Sequence, residues 1–153
     1  MKLRLIFAYL VLINTVSTTF ATERGGNGRP KLILDTDSAN EIDDMYAIVR
    51  ILNQGKFDVL GLNSAQWRHY LGDPDSVQAS QTVNEELLQL IGRTDLRSHL
   101  GAEEPMGKPW GGDDPKDSPA AQFIIKQARA LPAGEQLHVV CLGATTNLSM
   151  VQN

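Results

Sequence analysis

Four aspartates lie close together in the chain and form a cluster that can do chemistry. They are Asp35, Asp37, Asp43 and Asp44. Carboxylates placed side by side repel one another and resist ionisation, and no lysine or arginine lies between Lys31 and Arg50 to neutralise them. A divalent cation would relieve the repulsion, and carboxylate oxygens are ligands that Ca²⁺ and Mg²⁺ prefer. The cluster therefore predicts a metal-centred site.

Alternating strand and helix patterns predict the elements that position this cluster. Strands are expected at 31–34, 58–62, 96–100 and 136–142, and helices at about 42–54, 73–91 and 118–131. Such alternation is typical of an α/β fold, a mostly parallel, Rossmann-like sheet with helices on both faces. In these sheets ligands bind beyond the carboxyl ends of the strands. The acidic cluster and the segment 143–147 each follow a strand, so both are expected at that edge.

The second predicted helix has apolar residues at a spacing that predicts a buried side. They are Val77, Val83, Leu87, Leu90 and Ile91. Residues that recur at this interval share one face of a helix. We therefore expect this face to pack on the sheet.

The N-terminal residues resemble a secretory signal. Lys2 and Arg4 give a positive start, residues 5–13 are apolar, and Thr19-Phe20-Ala21 is a small-residue cleavage pattern. The apolar stretch is too short for a transmembrane helix. We expect residues 1–21 to be a signal peptide, 22–30 a flexible leader, and 31–153 the folded domain of an exported protein, periplasmic or secreted.

The net charge argues against two kinds of partner, and the cysteine content excludes an internal disulfide. The chain of 153 residues has a net charge of −4, and signal removal makes it more acidic, which disfavours nucleic acid and anionic membranes as partners. The single cysteine, Cys141, excludes an internal disulfide. Because it lies in an apolar run, a small buried hydrophobe is expected rather than a nucleophile.

The C-terminal segment predicts an incomplete sheet. The last predicted strand is followed by a helix that has barely begun at Asn153. We interpret the chain as a truncated product, the N-terminal part of a larger α/β domain. Such a sheet exposes an unpaired edge strand, which is open to pairing with a second copy in a homo-oligomer.

Two segments resemble the inosine/uridine-preferring nucleoside hydrolase family. Asp35-Thr36-Asp37, followed by Asp43-Asp44 and a helix, is similar to the acidic signature of that family. The segment Val-Cys-Leu-Gly-Ala-Thr-Thr-Asn-Leu at 140–148 resembles its apolar strand followed by Gly-Pro-Leu-Thr-Asn-Leu. The resemblance spans residues 31–153 and implies a nucleoside-hydrolase-like fold. It also implies calcium-dependent hydrolysis of the N-glycosidic bond of a ribonucleoside or related glycoside, a small-molecule substrate.

The resemblance implies a role for each matched residue. Asp37 would be a calcium ligand and the general base that activates the attacking water, and Asp44 would bind the calcium through both carboxylate oxygens. Asp43 would hold a ribose hydroxyl. The main-chain carbonyl of Leu142 would complete part of the metal shell. Asp35 would not touch the metal but would orient its neighbours.

Departures from the family pattern limit what the resemblance implies. The loop 38–41 is longer than the short Pro-Gly turn of the best-known members, which leaves the preferred base and sugar open. Residues 144–145 differ from the usual Pro-Leu. The family also takes a His-Asp pair from its C-terminal part, as leaving-group acid and last metal carboxylate. Beyond Asp117 the only acid is Glu135, and His138 lies inside a predicted strand, so this pair is absent and the activity of this chain stays open.

Two other functions compete with the hydrolase interpretation. A haloacid-dehalogenase-like phosphatase also begins with strand-Asp-x-Asp, with Asp35 as nucleophile, Asp37 as acid and Ser64 as phosphate ligand. Ala39 stands where that family has Thr or Val, and Asp43 and Asp44 would have no role. A non-catalytic module that binds nucleosides or sugars would keep the metal loop and need no leaving-group acid.

Overall fold

The computed structural model describes residues 28–68, 74–107 and 112–152. The predicted signal peptide, and the leader as far as residue 27, lie outside these described residues. None of the described helices combines the length and the apolar character that crossing a bilayer requires. The first described element is a strand that begins at Lys31.

Strands and helices alternate along the described chain. They are β1 (Lys31–Thr36), α1 (Ile42–Asn53), β2 (Asp58–Ser64), α2 (Ser76–Leu90), β3 (Ser98–His99), α3 (Pro119–Arg129) and β4 (Leu137–Cys141), followed by a 3₁₀ helix (Thr145–Gln152). The strands form one sheet in the order β3-β2-β1-β4, and every pairing is parallel. The predicted α/β fold with a parallel sheet is confirmed.

The order of the strands places β1 at a reversal of the chain path. The chain moves outward from β1 through β2 to β3, and then returns to the other side of β1 to form β4. Asp35 lies opposite Asn63 of β2 and Cys141 of β4. Because ligands of open parallel sheets bind where the strand order reverses, the carboxyl end of β1 is the expected binding edge.

Helices cover both faces of this sheet, as predicted. On one face the core cluster joins β1 and β2 to α1 and α2; its buried members are Leu32, Leu34, Ile48, Leu52, Val59, Leu62 and Leu88. On the other face Gly61 lies under the ring of Phe123 in α3, where a Cβ would come within 3.1 Å of the ring. The site therefore lies at the edge of a sheet that is packed from both sides.

All four strands differ in length from the sequence prediction: β1 and β2 are longer, and β3 and β4 are shorter. Strand β1 continues through Asp35 and Thr36, because these residues stay paired with Asn63 and Ser64 of β2. Strand β3 is shorter than predicted. Its continuation leaves the sheet at Leu100, whose carbonyl accepts from the backbone N–H of Ala120 in the first turn of α3.

The prediction of the buried side of α2 is wrong at Leu90, near the C-terminal end of the helix. It also omits the polar residues that are buried in the middle of the helix. Leu90 is 83% exposed, whereas Leu88 is 4% exposed. The buried residues of this helix are Ser76, Val77, Ser80, Gln81, Asn84 and Leu88. Most of them are polar, because the helix lies against the polar carboxyl ends of β1 and β2, where Asn84 binds Ser38 and Asn63.

The two leucines of α2 provide a test of this packing. Leu88→Ala is expected to lower the free energy of unfolding by about 2–5 kcal/mol, because it leaves a cavity in the core. Leu90→Ala is expected to change it by less than about 0.5 kcal/mol, because the side chain is in solvent. Urea unfolding of both variants checks this, and equal losses would contradict the orientation of the helix.

Candidate metal centre

The end of β1 and the start of α1 bring two acidic side chains together. Asp37 follows β1 directly, and a turn closed by the backbone N–H of Asn40 on the carbonyl of Asp37, at 2.7 Å, leads into the helix. Asp44 lies in the first turn of α1, where the positive end of the helix dipole favours a carboxylate. Both residues are only 8% exposed. The sequence-predicted pair thus lies buried at the carboxyl edge of the sheet.

The carboxyl groups of Asp37 and Asp44 lie next to each other. Asp37 Oδ2 accepts a hydrogen bond from Asn40 Nδ2 at 3.3 Å. Asp44 Oδ2 has no partner. Burial, hydrogen bonding with the adjacent carboxyl group of Asp37, and the charges of Asp37, Asp43 and Glu41 raise the pKa of Asp44 to about 7. The carboxyl group of Asp44 therefore resists ionisation.

Asp35 is held by two amides. Its carboxyl group is 1% exposed, and its Oδ2 accepts from Asn63 Nδ2 at 3.2 Å and from Asn147 Nδ2 at 3.0 Å. Its Oδ1 has no partner. Burial raises the pKa of Asp35 to about 6, against the opposing effect of the two amides. Asp35 is thus fixed in place and enclosed.

The loop after β4 packs against this acidic cluster. The backbone N–H of Leu142 donates to the carbonyl of Asp35 at 2.9 Å, so the β4 segment stays beside β1. At the next residue, Gly143, a Cβ would lie 2.5 Å from both Cγ and Oδ1 of Asp37. Only glycine allows this approach. Leu142, Gly143 and Asp37 therefore lie at one place, as the two motifs together predict.

Asp43 stands apart from the buried carboxyl groups. Its side chain is exposed, although its charge contributes to the raised pKa of Asp44. An exposed acid next to a buried pair is available to a ligand in solution. Asp43 can therefore accept hydrogen bonds from hydroxyl groups, but the structure does not bring it into the buried cluster.

Asp37 and Asp44 fit a calcium ion in charge and in donor type. Two adjacent, buried carboxyl groups repel each other, and one of their oxygens has no partner. Over the described residues, no group of three or more His, Cys, Asp or Glu side chains surrounds a common metal position. The other ligands would have to be carbonyl oxygens, amide oxygens or water, all of which calcium accepts.

A network of asparagines at this edge was not predicted from the sequence. Asn84 Oδ1 lies 2.8 Å from Ser38 Oγ and 3.3 Å from Thr36 Oγ1. Asn84 Nδ2 donates to the carbonyl of Asn63 at 3.3 Å. These bonds fix the residues on either side of Asp37. The sequence pattern that could have indicated this network is the presence of polar residues at the ends of apolar strands, because buried polar side chains need hydrogen-bond partners.

Cys141 lies at the end of β4 and is half-buried. Burial and the charge of Asp35 raise the pKa of its thiol to about 11. A nucleophilic cysteine needs its thiolate form. The structure therefore agrees with a packing role for Cys141, although it is less buried than the sequence suggested.

No protein-family model, curated protein or solved structure matches this chain. The resemblance to nucleoside hydrolases therefore stays a prediction that rests on the two motifs and on the geometry that brings them together.

Replacing Gly143 tests its contact with Asp37. Gly143→Ala is expected to lower the free energy of unfolding by about 1–3 kcal/mol, because the added methyl group overpacks the site. In an Asp37→Gly background the same substitution is expected to cost much less, since the obstructing side chain is gone. Denaturant unfolding of the four proteins measures the difference. An equal cost in both backgrounds would show that Asp37 is not the neighbour that excludes a side chain.

Raised pKa values of buried carboxyl groups predict a pH dependence of stability. Without divalent cations, folded Asp35 and Asp44 keep their protons up to pH about 6 and about 7, whereas unfolded carboxyl groups lose them near pH 3.9. The folded state binds more protons in this interval, so the free energy of unfolding should fall with rising pH, by up to about 1.4 kcal/mol per pH unit for each retained proton.

Denaturant unfolding in a chelator, between about pH 4 and pH 8, measures this slope. Asp44→Asn is the matched variant, because an amide cannot titrate and the slope should become shallower. A stability that rises between about pH 4 and pH 7 would contradict the burial of these carboxyl groups.

Proposed function

We propose that this chain provides the acidic, calcium-binding part of a site that hydrolyses the N-glycosidic bond of a ribonucleoside or a related glycoside. The observation that carries the proposal is the buried contact between Asp37 and Asp44 at the reversal of strand order. Gly143, from the second motif, packs directly on Asp37. The two segments that resemble nucleoside hydrolases thus meet at one place, where open parallel sheets bind ligands.

The residues at this edge have the chemistry that the reaction needs. Bound calcium would lower the pKa of a water molecule so that hydroxide is available near neutral pH. Asp37 would accept the proton of the attacking water, and the exposed Asp43 would accept a hydrogen bond from a ribose hydroxyl. Glycoside cleavage passes through an oxocarbenium-like sugar, and the negative charges of these carboxylates would stabilise it. Asp35 is enclosed and would act only through its neighbours.

A non-catalytic nucleoside- or sugar-binding module is the second candidate function. The observation that favours it concerns the two histidines of the described residues. His99 stacks on Phe123 with ring centroids 3.8 Å apart, and His138 pairs with Leu32, three positions before Asp35 on β1. Neither lies at the acidic cluster, so the described residues supply no histidine as acid for the leaving base.

A phosphatase of the haloacid-dehalogenase type is less well supported. Its nucleophile would be Asp35, which is buried and whose Oδ2 is occupied by two amides. Its phosphate ligand would be Ser64, whose Oγ is buried and accepts from the backbone N–H of Gly101 at 3.1 Å. A nucleophile and a phosphate ligand both have to reach the substrate, and neither side chain is accessible.

Calcium titration by calorimetry, followed by an assay for released ribose, tests the proposal. The purified chain is expected to bind calcium, and Asp37→Asn/Asp44→Asn is expected to abolish binding. The control variant Glu86→Gln/Glu103→Gln removes the same number of charges from two exposed positions and should bind as the unaltered chain does. Ribose release from purine or pyrimidine ribonucleosides should require calcium.

The outcomes separate the candidate functions. Calcium binding with ribose release supports the hydrolase. Calcium and nucleoside binding without release favours the non-catalytic module. A folded chain that binds no calcium, or a control variant that loses binding equally, would contradict the metal centre itself.

A further inference from the structure

Asn147 is a buried side chain whose hydrogen-bonding positions are all occupied. It lies in the 3₁₀ helix and is 1% exposed. Its Nδ2 donates to Asp35 Oδ2 and to the carbonyl of Ser64, each at 3.0 Å. Its Oδ1 accepts from the backbone N–H of Ala102 at 3.0 Å and from Ser118 Oγ at 3.1 Å. An amide has two donor hydrogens and two acceptor lone pairs, so this side chain is fully satisfied.

The partners of Asn147 hold its amide in one orientation. Ser118 is the N-cap of α3, and its Oγ accepts from the backbone N–H of Ala121 at 3.1 Å. Gly101 packs so closely that a Cβ there would lie 2.9 Å from Asn147 Nδ2 and 2.0 Å from the carbonyl of Ser64. The end of β2, the loop after β3 and the start of α3 thus all contact the amide. Rotation of the amide would break several of these contacts together.

This fixed amide determines how Asp35 presents its two carboxylate oxygens. Asn147 and Asn63 both donate to Oδ2, whereas Oδ1 is buried and has no partner. The backbone of Asp35 is held as well, because its carbonyl accepts from Leu142. Oδ1 is therefore the oxygen that remains for a hydrogen-bond donor from outside this set of partners.

We propose that Asn147 is a positioning residue for the acidic cluster. It binds Oδ2 of Asp35 and so leaves the enclosed Oδ1 as the oxygen that accepts a hydrogen bond from a water molecule at the calcium site. The inference rests on the proposed function, because it requires calcium to bind at Asp37 and Asp44. It goes beyond that function in giving the segment after β4 a role in ion affinity, through a residue that touches neither the ion nor the sugar.

A double-mutant cycle on calcium affinity tests this role. Asn147→Ala is expected to raise the calcium dissociation constant about tenfold, the lower end of the effect seen for residues that support metal ligands. In an Asp35→Ala background Asn147→Ala should have no further effect, because Asn147 acts through Asp35. Leu88→Ala, which weakens the core away from this edge, should change the dissociation constant less than about twofold even where it lowers stability more.

Circular dichroism establishes first that each variant is folded. If Asn147→Ala is not, Asn147→Ser takes its place in the cycle, since serine keeps a polar group but is too short to reach Asp35. An equal loss of affinity in both backgrounds, or no loss in either, would overturn the positioning role and leave the proposed function standing. No calcium binding by the unaltered, folded chain would overturn the proposed function and this inference together.

Discussion

The burial of three carboxyl groups at one edge of the sheet is the constraint on which the site depends. Asp35, Asp37 and Asp44 are each at most 8% exposed, and a buried carboxylate is costly unless it is paired, hydrogen-bonded or protonated. Amides compensate Asp35 in part, while burial and the adjacent carboxyl group of Asp37 raise the pKa of Asp44. The local structure follows from this constraint, including the absence of a side chain at Gly143.

The sheet brings these groups together because its first strand lies inside it. Strand β1 is flanked by β2 and β4, and parallel strands place their carboxyl ends on the same side. Segments that are distant in the sequence therefore meet at Asp35. Its partner Asn63 lies one crossover connection later in the chain, and its partner Asn147 lies two crossover connections after that. The apolar interior of the sheet stabilises the fold, and its polar edge holds the candidate functional residues.

Much of the fold could be predicted from the sequence, and less of the site. The strands and helices follow from apolar periodicity, and the contact between the two motifs follows from strand ends that share an edge. The exposure of Leu90 and the polar buried side of α2 could not be predicted, because periodicity does not tell which helix faces a polar strand end. The roles of Asn63, Asn84 and Asn147 depend on partners up to 112 positions away, which no local pattern contains.

Among the described residues, neutral amides rather than cationic side chains hold the buried carboxyl groups. Asn63 and Asn147 donate to Asp35, and Asn40 donates to Asp37. A lysine or arginine in these positions would also donate, but its charge would cancel the repulsion that raises the pKa of Asp44. An amide leaves that repulsion in place. This repulsion is what the proposed calcium ion would relieve, whereas a buried salt bridge would already have removed it.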